Sequence, residues 1–60
     1  MKYNEFHAII RRNGWVMIRQ RGSHIVYVKK NKRYTVPNHG AKEMFEPLRK
    51  KIIRDMRLFF

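Results

Sequence analysis

The dipeptide Gly22-Ser23 stands between two runs rich in Val, Ile and aromatic residues, Trp15 to Arg21 and His24 to Lys29, and constrains the fold more than any other feature. Glycine at the first central position marks a two-residue II′ hairpin loop, whose twist matches that of the strands it joins. Such a loop sets Arg21 directly across from His24, then Gln20 opposite Ile25, Arg19 opposite Val26, Ile18 opposite Tyr27 and Met17 opposite Val28. A second two-residue turn at Asn31-Lys32 leads into a third strand, Arg33 to Pro37, with Tyr34 beside Lys29 and Val36 beside Tyr27. One sheet face then carries Val16, Ile18, Ile25, Tyr27, Tyr34 and Val36, apolar enough to be covered by helices. The other carries Arg19, Arg21, His24, Arg33 and Thr35 among Met17, Val26 and Val28, a composition suited to water and to an approaching polyanion.

Helical patterns flank the strands. The first is predicted over Asn4 to Arg12, with Asn4 as the cap, Glu5 in the first turn, Arg11 and Arg12 in the last, and Phe6, Ile9 and Ile10 on one face. Asn13-Gly14 ends it, because glycine takes the left-handed capping conformation without a Cβ penalty. Pro37-Asn38-His39-Gly40 reads as a loop, and a last helix is predicted from Pro47 to Arg57. Its buried face is Leu48, Ile52, Ile53 and Met56, and its outer stripe Lys50, Arg54 and Arg57 is basic. Leu58-Phe59-Phe60 either completes the core or enters a partner interface. The expected fold is α+β, in the order α-β-β-β-α, with both helices on one face of a three-stranded antiparallel sheet and residues 1–60 forming a single domain. A chain this short buries only about 60% of the surface its unfolded form exposes, so a deep substrate cavity is not expected.

Charge narrows the partners. Fifteen Lys and Arg against four acids, Glu5, Glu43, Glu46 and Asp55, give a formal net charge of +11 on 60 residues. A field of that size repels itself and attracts polyanions, nucleic acid above all. No apolar run approaches the roughly 20 residues needed to cross a bilayer, and the opening Met1-Lys2-Tyr3-Asn4-Glu5 lacks the apolar stretch of a secretory signal. With no cysteine there is neither a disulfide framework nor thiolate ligation. A soluble cytoplasmic protein is expected.

Several short segments, in order and spacing, give the chain a resemblance to a known family. They are Lys2-Tyr3-Asn4-Glu5-Phe6, Asn13-Gly14-Trp15, Arg21-Gly22-Ser23-His24, Val36-Pro37-Asn38-His39-Gly40, and Leu48-Arg49-Lys50-Lys51-Ile52-Ile53. Together they span almost the whole length, and the chain resembles the HicA family of bacterial toxins. The resemblance implies a fold like double-stranded-RNA-binding domains, endoribonuclease action on messenger RNA that stops translation and growth, and neutralisation by a HicB-family antitoxin. It also implies that the histidine following Gly-Ser, here His24, is catalytic. Where that family often carries a glycine before its final leucine, this chain has Arg57 before Leu58.

The residues themselves fit such chemistry. Cutting RNA without a metal requires a base for the 2′-hydroxyl proton, and imidazole, with an ordinary pKa of about 6.5, suits the task near neutral pH. Arg21 and Arg19 are placed to stabilise the charge gathering on phosphorus, with Arg33 on the same face. Ser23 either positions phosphate or serves only the turn, and His39 either contacts phosphate or bonds within its loop. His7 reads as a surface residue. Tyr27 and Tyr34 read as core, with Trp15 packed against a helix end, or as base-stacking platforms. No spacing of His, Cys or carboxylates suggests a metal site, and no glycine-rich phosphate loop or other cofactor motif is present. The competing reading is a non-catalytic RNA-binding module using the same basic face. A DNA-binding accessory role lacks a helix-turn-helix, since the whole sheet separates the helices.

Overall fold

The computed structural model describes residues 1–60: helix α1 (Tyr3–Arg12), strands β1 (Val16–Arg21), β2 (His24–Lys29) and β3 (Lys32–Pro37), and helix α2 (Glu46–Met56). The strands form one antiparallel sheet in the order β1-β2-β3. Its inner face gives Ile25, Tyr27 and Val36 to a core shared with Tyr3, Phe6 and Ile10 of α1 and Ile52 and Met56 of α2. The α-β-β-β-α order and the α+β class therefore agree with the sequence. No helix is long and apolar enough to cross a membrane.

The cap of helix α1 lies two residues before the one its polar side chains suggest. Lys2, not Asn4, occupies the cap, and its backbone amide donates to Glu5 Oε1 at 2.8 Å. The Asn4 amide instead donates to Gly40 O at 3.0 Å, tying the helix to the loop after β3. The inward stripe is Tyr3, Phe6, His7 and Ile10. His7 is thus a core residue, 1% exposed, and not the surface residue its polarity suggests.

Two register differences separate sheet from expectation. Near the first hairpin the pairs Arg21↔His24, Gln20↔Ile25 and Arg19↔Val26 are as predicted, but a bulge leaves Ile18 without a partner and pairs Met17 with Tyr27 and Val16 with Val28. One extra residue reverses the side on which everything beyond it points, so Met17 joins the helix-side face and Val16 the open one. Strand β1 is an edge strand, exposed throughout, and Val16, Met17 and Ile18 stand 59%, 51% and 47% exposed. Val16 and Ile18 are therefore not core residues.

The second turn is Lys30-Asn31, both at positive φ, so that Lys29 faces Lys32, Tyr27 faces Tyr34 and Ile25 faces Val36. This differs from the predicted register by two residues. An even slip leaves each side chain on its expected face, and Val36 is fully buried beside Ile25.

Helix α2 ends as Arg57 turns to φ 53°, while Leu58 N–H donates back to Ile53 O at 3.0 Å. That backward bond points Leu58 into the core, whereas Phe59 and Phe60 remain 80% and 72% exposed. Only the first residue of the apolar tail completes the core. The Asn13 side chain grips the backbone that follows, accepting from Phe59 N–H at 2.7 Å and donating to Phe59 O at 3.0 Å.

Candidate nucleic-acid interface

A short turn with one left-handed residue brings the site together. Gly22 has φ 58° and Ser23 does not share the positive φ, the pattern of a II′ loop, and this sets Arg21 opposite His24 on the uncovered face. Because β2 is central, His24 has a second neighbour across the sheet, Pro37 at the end of β3. Ser23 contributes its backbone: its carbonyl accepts from Asn38 N–H at 2.6 Å, which carries the pairing one residue past His24.

The open face is cationic. Arg19, Arg21, His24, Arg33 and Thr35 are exposed on it, with Val26 and Val28 half-buried between them. None of the four carboxylates lies in a strand, and each is engaged elsewhere. Glu5 accepts from the Lys2 amide, Glu43 from the Met1 ammonium at 2.7 Å, Glu46 from Arg49, and Asp55 from the Tyr34 hydroxyl at 2.8 Å. An anion approaching the sheet meets guanidinium groups with no acidic side chain among them.

The predicted residues are not equally close. Arg21 is the direct neighbour of His24, and Arg19 lies two positions back on the same side. Arg33 pairs with Val28, four residues from Pro37 along β3, or roughly 13 Å at the rise of a strand. It marks the far part of the face. His39, exposed in the loop two residues beyond Pro37, sets its ring edge-on against Tyr3 at 4.9 Å. Tyr27 lies in the core and Tyr34 beside it, neither free for base stacking, and Trp15 is buried. A recess of about 590 Å³ bordered by Ile9, Arg12, Lys29, Phe59 and Phe60 lies at the opposite end of β2 and contains none of these residues. No three His, Asp or Glu side chains converge on a common point.

Beneath the site lies a histidine that sequence reasoning put at the surface. His7 Nδ1 is 2.6 Å from Tyr27 Oη, and Nε2 is 2.9 Å from Pro37 O. Burial lowers the His7 pKa from its ordinary value, opposed by the bond to Pro37 and reinforced by the Arg11 charge. Burial likewise raises the Tyr27 phenol, and burial together with Asp55 pushes Tyr34 up to about 12. One signal could have found His7: it completes the 3, 6, 7, 10 spacing with Tyr3, Phe6 and Ile10 that an inward helical stripe requires.

Comparison with known proteins adds to this geometry. Residues 3–58 match the family model described as "HicA toxin of bacterial toxin-antitoxin". The chain is also 40% identical over 58 residues to the "Probable mRNA interferase HicA" of Pseudomonas fluorescens (strain Pf0-1), covering 97% of each chain. No solved structure matches it.

Proposed function

The chain belongs to the HicA family of bacterial toxins, and on that premise we propose that it is a cytoplasmic, metal-independent endoribonuclease that cuts messenger RNA and thereby stops translation and growth. The observation that carries the reading is an exposed imidazole, His24, beside Arg21 on a sheet face free of carboxylates. His24 takes the proton from a ribose 2′-hydroxyl. The 2′-oxygen then bonds to the adjacent phosphorus, the bond from phosphorus to the 5′-oxygen breaks, and that oxygen takes up a proton. The products are a 2′,3′-cyclic phosphate and a 5′-hydroxyl. Arg21, with Arg19 behind it, stabilises the charge of the pentacoordinate phosphorus through charge-assisted hydrogen bonds. Arg33 holds a phosphate farther along the strand, and Ser23 and His39 contact RNA at the His24 end.

Turnover tests this reading, because RNA binding is common to an enzyme and to a non-catalytic module. Purified protein, messenger RNA and chelator are incubated together, for the parent and for His24→Ala. The parent is expected to cut, and the folded variant to lose at least about a hundredfold in rate, the usual contribution of a general base. An uncut RNA with the parent points to the binding module, and a variant as active as the parent removes His24 from the reaction. A substrate carrying 2′-deoxyribose at the cut position should resist cleavage.

A HicB-family antitoxin, acidic on its contacting surface, is the expected partner, and covering His24 is the expected mode of neutralisation. In the complex the cationic face is matched and the catalytic imidazole hidden, so solvent-exposed His24 in that complex rules out direct masking.

A further inference from the structure

We propose that His7 is a positioning residue for the cleavage at His24, acting through Pro37; the proposal rests on the reading of His24 as the catalytic base. The chain of contacts begins with an unambiguous tautomer. A carbonyl only accepts hydrogen bonds, so at 2.9 Å from Pro37 O the His7 Nε2 carries the proton. Nδ1 is then the acceptor, and the Tyr27 hydroxyl donates to it at 2.6 Å. Both nitrogens of a ring that is 1% exposed are satisfied in the neutral state.

The pairing of β2 with β3 makes the contact at Pro37 matter. Lys29 and Lys32 close a two-residue turn as a hydrogen-bonded pair, and antiparallel pairs alternate, which makes His24 and Pro37 a non-hydrogen-bonded pair. Two consequences follow. The missing N–H of proline costs nothing there, and its carbonyl points away from β2, off the free edge of the sheet, where His7 supplies its donor. Side chains across such a pair also stand closer than elsewhere in the ladder, with Cα atoms about 4.5 Å apart, so the Pro37 ring flanks the His24 imidazole on the open face. From the core side, His7 pins the residue that flanks His24 on the solvent side. The Tyr3 and Asn4 amides, donating to Lys42 O and Gly40 O, hold the rest of the loop, and His7 is the side-chain tie nearest the site. Packing alone does not account for a histidine here, since an aliphatic side chain would fill the same space without desolvating two nitrogens.

The experiment compares the full chain carrying His7→Leu, His7→Met, His7→Gln or Tyr27→Phe with the parent, each checked for folding by circular dichroism. His7→Leu is expected to lower kcat about tenfold while KM for RNA stays within about twofold, the pattern of a misplaced catalytic group and not of lost binding. His7→Gln, which keeps one donor and one acceptor, is expected to recover most of the loss. The 15N shifts of the His24 ring should move in His7→Leu and return in His7→Gln. Folded His7→Leu with the kcat of the parent overturns the proposal. If His7→Leu does not fold, His7→Met decides in its place, since it also fills the space without offering Pro37 a donor: unchanged kcat together with unchanged His24 shifts is equally fatal, and Tyr27→Phe, which leaves the bond to Pro37 intact, is the control. His24→Ala run alongside separates the two readings, because an active His24→Ala variant defeats the catalytic assignment itself, whatever His7 does.

Discussion

Arg57 closes α2 at φ 53°, where an ordinary side chain crowds the following carbonyl and glycine does not. Arg57→Gly is therefore expected to stabilise the protein by about 0.5 to 1 kcal/mol, read as a higher urea midpoint at unchanged slope. His7 carries a different kind of strain. Its pKa is depressed by burial and by Arg11, so between the folded value and the unfolded value of about 6.5 the unfolded chain binds the extra proton. Stability is complete above that window and falls as pH drops through it. Urea midpoints at pH 7.5 and pH 5 should differ in the parent and differ less in a folded His7→Leu variant. Neither residue was legible from its own chemistry: a histidine and an arginine announce solvent. What betrays them is position, the helical spacing for His7 and the place of a capping residue before Leu58 for Arg57.

At the scale of elements, all five were legible, because hydrophobic period and the Gly22-Ser23 and Asn13-Gly14 breaks are local signals. The bulge at Ile18 was not. Nothing in Val16-Met17-Ile18, three apolar residues in a row, tells which one drops out of the ladder, and the sequence reading put Ile18 inside. The turn at Lys30-Asn31 was hidden for a related reason: asparagine tolerates positive φ at either central position, while Lys30 offers no hint of it. The two errors differ in effect, since an even slip keeps the faces and an odd one exchanges them. The edge position of β1 gives a direct check by thermal or urea unfolding. Ile18→Thr, at 47% exposure, should change stability by no more than about 0.5 kcal/mol, whereas Ile25→Ala in the core should cost about 2 to 4 kcal/mol. Equal costs would mean that β1 packs as the sequence alone suggests.

For the molecule as a whole, charge and size act together. At +11 on 60 residues, RNA binding should weaken steeply with salt. Phosphate contacts by Arg19, Arg21 and Arg33 correspond to a slope of about −2 in log affinity against log salt for a single strand, and removing one arginine should flatten it by about 0.7. A slope near zero would take the cationic face out of the interaction. The same molecule leaves its last stitches late. Leu58 fills the core, and Asn13 holds Phe59 across a sequence separation of 46. Synthesis runs from the amino end at about 5 to 20 residues per second, so α1 and the strands are made before the residue that seals them. A chain caught partway through translation lacks Leu58 and the clamp on Phe59, and the nuclease it encodes is not fully assembled until the message that specifies it has been read past that point.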